Sequence, residues 1–325
     1  MKILFMGTPE PAQVCLNALI GAKEELVAVI TQPDRPKGRG LLLAPTPVKE
    51  TALLHDLPVF QPEKLKDREV PELIRGFKPD LIVIVAYGKI LPKEILDIPK
   101  YGTINVHASL LPKYRGAAPV QRAILNGDKF AGITIMKVTE TLDAGAIILQ
   151  ESIPIYETDN TAALTQKLFK LGAQLLVKAV SQIKSGKAVY VEQDEKEVSY
   201  APTLKKEDGV IDWKKKAYEI RNQIRAFDPW PVAYTYYNGK ILRIFAAEKC
   251  ETGDATRLPA SRGELARQGC EAGRIIEIRK NKGFIVGVCD GALLVTEVQF
   301  ESGRKMSAWE FLMGHKIKVG DILPN

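Results

Sequence analysis

Alternation of short aliphatic runs with helical patterns constrains the N-terminal half of this chain more tightly than any other feature. The runs cover residues 2–6, 26–31, 81–86, 103–107 and 132–138, and those at 2–6, 26–31 and 81–86 are apolar enough to be buried on both faces of a sheet. Helical periodicity fills the intervals at 47–55, 70–77 and 120–126. A longer stretch at 161–183 carries Leu164, Leu168, Leu171, Leu175, Leu176 and Val180 on one stripe, which reads as core packing. Strands alternating with helices imply a parallel sheet wound by right-handed crossovers, an α/β domain of Rossmann-like type. The 325 residues exceed one typical domain, so a second is expected beyond it.

In such a sheet ligands bind beyond the carboxyl ends of the strands, so the loops there are the first places to look for chemistry. After the first strand, Gly7-Thr8-Pro9 reads as a turn into a helix, with Thr8 suited to cap it and Pro9 to its first position. The dinucleotide fingerprint G-x-G-x-x-G is missing there, which disfavours a nicotinamide or flavin cofactor. The next loop, 32–47, is far longer than the usual connection of about 2–6 residues. It carries Arg35, Lys37 and Arg39 with an apolar Leu41-Leu42-Leu43 segment, and reads either as a solvated surface excursion or as an arm reaching over a large anionic substrate.

The strand Thr103–His107 holds the most informative pair. Period-2 alternation sends Asn105 and His107 to one side and Ile104 and Val106 to the other, so an amide donor and an imidazole stand together just before a loop. Alone, that pair also describes a strand end with a hydrogen-bonded core histidine. It is followed by Ser109-Leu110-Leu111-Pro112 and by Arg115-Gly116-Ala117-Ala118-Pro119. In the 139–145 loop, Asp143 lies beside Gly145, ordinarily mere turn chemistry. Leaving the sheet at a strand's carboxyl end, that loop is expected to bring Asp143 to Asn105 and His107 across a shared crevice.

Read as one run, the Asn-x-His strand, the Ser-Leu-Leu-Pro loop, the Arg-Gly-Ala-Ala-Pro continuation and the later Asp resemble the folate-dependent formyltransferases. The likeness covers nearly the whole chain and is strongest to the branch that formylates methionyl-tRNA. What the resemblance implies is transfer of a formyl group from 10-formyltetrahydrofolate to the α-amino group of methionine on initiator tRNA. It gives catalytic roles to Asn105, His107 and Asp143. Asn105 and His107 would donate to the oxygen that becomes negative, His107 would protonate the leaving folate nitrogen, and Asp143 would orient His107 and take the amine's proton. It assigns folate binding to Lys89, Ile90 and Leu91, in a segment that otherwise reads as a plain strand-to-helix turn, and to Ser109, Leu110, Leu111 and Pro112. It assigns tRNA binding to Arg35, Lys37 and Arg39, with Pro36, Gly38 and Gly40 also matching the family's inserted loop. The family motif around the Asp usually reads Gly-Leu-Asp-Thr-Gly-Asp, and here Thr141, Ala144 and Ala146 replace three of those residues. The same three catalytic residues would also serve an amino-sugar nucleotide, glycinamide ribonucleotide or water as acceptor. A noncatalytic RNA-binding protein on this scaffold is the reading from a different class.

The domain organisation expected is a catalytic domain at 1–184, a charged linker at 185–208 and a small OB-like β-barrel at 209–325. Hairpin signals at Asn238-Gly239, Asn281-Lys282-Gly283 and Asp290-Gly291 support the barrel, as does a capped helix at 307–310. OB-folds commonly bind nucleic acid. A helix is read over 213–227 and a last strand near 318–323, while the polar stretch 251–269 has no assigned role. The formal charge of +7 suits a polyanionic partner without demanding one. Cys15, Cys250, Cys270 and Cys289 are widely spaced and only three histidines exist, so neither a disulfide framework nor a metal site is expected. The opening MKILFMGTPEP is too short for a signal peptide, and no run reaches the roughly 18 apolar residues of a membrane span. A cytoplasmic monomer is expected.

Overall fold

The computed structural model of the chain describes residues 1–37, 42–250 and 271–324. Arg39, together with the polar stretch 251–269, lies outside the described residues. The chain divides into two compact units, one made of 1–120, 130–155 and 163–202, the other of 121–129, 156–162 and 203–325. The stretch 185–208, expected to link them, therefore parts at Pro202, for hydrogen-bonding reasons given below.

The first unit is built on a seven-stranded sheet. Its strands are β1 (Lys2–Gly7), β2 (Glu25–Ile30), β5 (Val59–Phe60), β6 (Leu81–Val85), β7 (Thr103–His107), β8 (Phe130–Lys137) and β9 (Ile147–Pro154), in the order β5-β2-β1-β6-β7-β8-β9. From β5 through β7 the strands are parallel, and β8 and β9 add antiparallel pairs at one edge. All five residues of β6 are buried, as central position in a covered parallel sheet requires. One layer of core joins Leu4, Met6, Ala28, Ile30, Ile82 and Ile84 to Val70 and Ile74 of α3 (Glu69–Phe77). On β7, Val106 turns away from Asn105 and His107 and sits against Gly172 of α6 (Thr161–Lys184), so one face of the strand is spent on core.

Three local expectations change. The helix α1 (Glu10–Gly21) takes Pro9 rather than Thr8 as its cap residue, because the Thr8 hydroxyl donates to the Tyr87 carbonyl at 3.3 Å instead. The long 32–47 loop contains an antiparallel hairpin, β3 (Arg35–Lys37) with β4 (Leu42–Ala44), ahead of α2 (Pro47–Leu54). β8 runs antiparallel to β7, so the loop after it does not leave the sheet from the carboxyl end of β7.

The second unit carries an antiparallel sheet of β10 (Ala233–Tyr237), β11 (Lys240–Lys249), β14 (Gly291–Phe300), β13 (Gly283–Val288) and β12 (Ile275–Arg279), in that order, with β15 (Met306–Ser307) on β14. One core gathers Ile220 and Ile224 of α7 (Ala217–Ala226) with Leu242, Phe284, Val295 and, from α8 (Ala308–Gly314), Phe311. The helix read over 213–227 starts four residues later, since the Glu219 side chain accepts from the Lys216 backbone N–H at 3.0 Å and closes the chain there. Ser307 and Glu310 cap α8 reciprocally as read. Near 318–323 only a bridge between Arg274 and Ile322 forms.

Candidate active site

Asn105 and His107 stand two residues apart at the end of β7, on the face that α6 leaves open. Asn105 is half-buried, and its side-chain amide makes no hydrogen bond within the protein among the described residues. The amide is not among the buried unpartnered atoms, so it reaches solvent and is available to a ligand. His107 is 6 % exposed, and its Nε2 lies 2.9 Å from the Tyr114 carbonyl oxygen. A carbonyl only accepts, so Nε2 carries the proton and donates it there. The other ring nitrogen, Nδ1, faces Asp143 Oδ2 at 3.6 Å, beyond hydrogen-bonding distance. The ring is held at Nε2 by a backbone carbonyl, and its Nδ1 side is turned to the Asp143 carboxylate.

Asp143 accepts from the Gly116 N–H at 2.8 Å through the same Oδ2 that faces the imidazole. Although its loop leaves β8 from the wrong end of the sheet, the chain returns far enough to close on His107. Asp143 itself adopts a left-handed conformation, φ 50°, as does Tyr114 at φ 63°. Non-glycine residues hold such geometry at a cost of about 1–3 kcal/mol each, only where their surroundings impose it. Gly145 explains part of the imposition. A Cβ there would collide with the Lys137 carbonyl oxygen, and one on Gly116 would lie 2.7 Å from that of Ala201, at a φ of +119°.

The rest comes from residues 193–201. The Gln193 Nε2 donates to the carbonyls of Asp143 and Gly145, both at 2.8 Å, while its Oε1 accepts from Arg115 Nε and Nη2 at 3.1 and 2.9 Å. Arg115 is 2 % exposed and is also bound by Glu195 at 2.7 Å. Ser199 and Ala201 pair with the backbone of Tyr114 and Arg115. These bonds keep 193–201 with the first unit, and they were invisible as long as the charged run 193–197 read as linker. The available signal was a long polar stretch ending in Tyr200-Ala201-Pro202.

Of the residues assigned to folate, Ser109 spends its hydroxyl on the Lys113 carbonyl at 2.6 Å, and Leu111 is buried. Leu110 lies over Gly132, and Pro112 is half-buried with its carbonyl accepting from the Ser199 N–H. Buried Thr134 holds this turn by donating to the Ser109 carbonyl at 2.7 Å, with Gln150 reaching both Thr134 Oγ1 and the Leu111 carbonyl. At the end of β6, Lys89 is folded back on the carbonyls of Pro62 and Glu63, Leu91 is buried, and Ile90 is 82 % exposed. Ala86 there has φ 45°, and the Tyr87 carbonyl accepts from Thr8 and from Gln32, so the backbone of this turn is tied down while one large apolar side chain stands free.

The hairpin root is equally well held. Lys49 Nζ lies 2.6 Å from Asp34 Oδ2 and 2.8 Å from Gln61 Oε1, and Gln61 donates to the Gln32 carbonyl and to Asp34. The hydrogen bond from Lys49, then that from Gln61, holds the Asp34 carboxyl below the usual carboxylate range. Arg35 stands exposed beyond this root, with the Lys37 backbone paired opposite Leu42. Among the described residues no group of three or more His, Cys, Asp or Glu is placed to hold a metal ion.

The formyl transferase signature matches residues 1–180, and that of the formyl transferase C-terminal domain matches 203–316. The chain belongs to the formyl transferase family. Its relatives include the methionyl-tRNA formyltransferase of Caldicellulosiruptor saccharolyticus, 46 % identical over 99 % of this chain and 100 % of that one. Those of Geobacter sulfurreducens and Bacillus subtilis are each 44 % identical, over 98 and 99 % of this chain and 96 and 97 % of theirs. Among solved structures, the sugar 3N-formyl transferase WlaRD superposes with a TM-score of 0.64 at 20 % identity, covering 94 % of this chain and 99 % of that one. HypX from Aquifex aeolicus in complex with tetrahydrofolic acid gives 0.63 at 18 %, covering all of this chain and 51 % of that one. At those identities the likeness is one of fold, shared by family members with different acceptors. Folate is the co-substrate of the family.

Proposed function

We propose that this chain transfers the formyl group of 10-formyltetrahydrofolate to the α-amino group of methionine carried by initiator tRNA, in the cytoplasm where translation starts. The observation that carries the chemistry is the uncommitted Asn105 amide beside a histidine whose one free ring nitrogen faces a carboxylate at 3.6 Å. The acceptor is carried by the relatives' names and by their match along the entire chain. All three side chains come from one chain, so a monomer, the state proposed here, holds the full set.

Asn105 donates to the formyl oxygen as the amine adds and negative charge gathers there. Because Nε2–H is engaged by Tyr114, the reaction uses His107 through Nδ1, in the form that carries a lone pair there. That nitrogen takes the amine's proton and returns it to the departing folate nitrogen, acting as base and then acid. Asp143, 3.6 Å away, stabilises the imidazolium formed in between. The turns at 86–91 and 109–112 shape the folate pocket chiefly through backbone groups and Ile90, since Ser109, Lys89 and Leu111 are engaged elsewhere. Arg35 and Lys37 of the hairpin, together with Arg39, meet tRNA phosphates, with the C-terminal unit in support.

The test is incubation with 10-formyltetrahydrofolate and methionyl-initiator tRNA, with amino-sugar nucleotides as competing acceptors, followed by mass spectrometry. Formylmethionine formed only on charged tRNA is the result expected; a formylated sugar without formylmethionine would overturn the acceptor.

A further inference from the structure

We propose that Gln193 is a positioning residue for the reaction, fixing the Asp143 carboxylate through the backbone of its loop. The inference rests on the role just given to Asp143.

The side-chain amide is fully committed, and its orientation is set by its neighbours. Arg115 has only donors to offer, so Oε1 must face it; the carbonyls of Asp143 and Gly145 only accept, so Nε2 must face them. One planar group therefore clamps the two carbonyls that bracket Ala144. Asp143 sits at φ 50°, a conformation a non-glycine residue does not keep unaided, and its Oδ2 must meet both the Gly116 N–H and the Nδ1 side of His107. The other end of the clamp is anchored in a buried guanidinium, which Glu195 also binds from the solvent side. Arg115 follows Tyr114, whose carbonyl orients the imidazole, and precedes Gly116, whose N–H holds the carboxylate. A single residue from 193–201 thus ties together the two loops that set the relative position of the acid–base pair. A displacement of about 1 Å at such a pair costs on the order of a hundredfold in rate.

Gln193→Glu keeps the acceptor for Arg115 and the size of the side chain, while both donors to the loop are lost. Gln193→Asn is uncharged and keeps both functional groups, but is one methylene too short to bridge them, so it reads the same contact if the glutamate variant does not fold. For either variant kcat for formylation is expected to fall about tenfold or more, with both KM values within about twofold of wild type. Amide exchange should rise in the 139–146 peptide, and thermal melting should be little changed. Unchanged kcat in a folded variant, or kcat and KM moving together with a lowered melting point, would overturn the positioning role. Asp143→Ala, run alongside, separates the two readings. If it turns over normally, the role of Asp143 fails and this inference with it. An inactive Asp143→Ala beside an unimpaired Gln193→Glu overturns this inference alone.

Discussion

Asn105→Ala removes a side-chain amide that has no other employment among the described residues. Its amide makes no hydrogen bond among the described residues, so truncation strands no buried partner there, and stability should stay within about 0.5 kcal/mol of wild type. The kinetic effect is expected to be large for a reason visible in the geometry. The Nε2 proton of His107 is held by the Tyr114 carbonyl at 2.9 Å and so is already engaged. When charge first develops on the formyl oxygen, Asn105 is the side-chain donor supplied by this pair. Loss of one such donor costs about 2.7–4 kcal/mol, a factor of about 10² to 10³ in kcat. The upper end is expected, since His107 does not compensate early in the step. Single-turnover formylation of methionyl-tRNA reads this directly, with urea unfolding as the stability control. Near-wild-type kcat in a folded Asn105→Ala protein would refute both the donor assignment and the reading of the histidine tautomer.

Two further outcomes follow from the hairpin. Asp34 has its carboxyl lowered by Lys49 and Gln61, so the stability it adds is fully present above the unfolded carboxyl's pKa of about 3.9 and is lost as pH falls through its lower folded value. Asp34→Asn should flatten the acid limb of stability against pH measured by urea midpoints, and an unchanged limb contradicts the anchor. Arg35→Ala, alone or with Arg39→Ala, should raise KM for tRNA and reduce the salt dependence of binding by about one phosphate contact per cation, leaving KM for the folate unchanged. Equal effects on both substrates, or none, would remove the hairpin from the tRNA interface.

The alternation of β1, β2, β6 and β7 with helices was legible because β1 and β6 are covered on both faces and almost continuously apolar, β2 becomes so over its second half, and β7 keeps Ile104 and Val106 on its covered face. The direction of β8 was not, since residues 132–138 read the same whichever way the strand runs, and the expectation that its loop opens at the carboxyl end of β7 failed for that reason. Asn105, His107 and Asp143 were marked by residue type and by likeness to a family. What orients them was not, because the Tyr114 carbonyl and the Gly116 N–H are backbone groups that every residue possesses. Gln193 was passed over because a charged run looks the same whether it is solvated or strapped across a loop. Thr8 carried a strong capping signal and was used elsewhere: a tertiary acceptor, the Tyr87 carbonyl, outcompeted the local N–H groups.

The most direct measurement of the central claim is the product formed when the wild-type protein, 10-formyltetrahydrofolate and methionyl-initiator tRNA are combined, compared with the same mixture containing uncharged tRNA or an amino-sugar nucleotide. Formylmethionine released by deacylation of the charged tRNA, and formyl transfer to no other acceptor, is the result predicted. Folate turnover with a formylated sugar, or salt-sensitive tRNA binding with no formylated product, would contradict it.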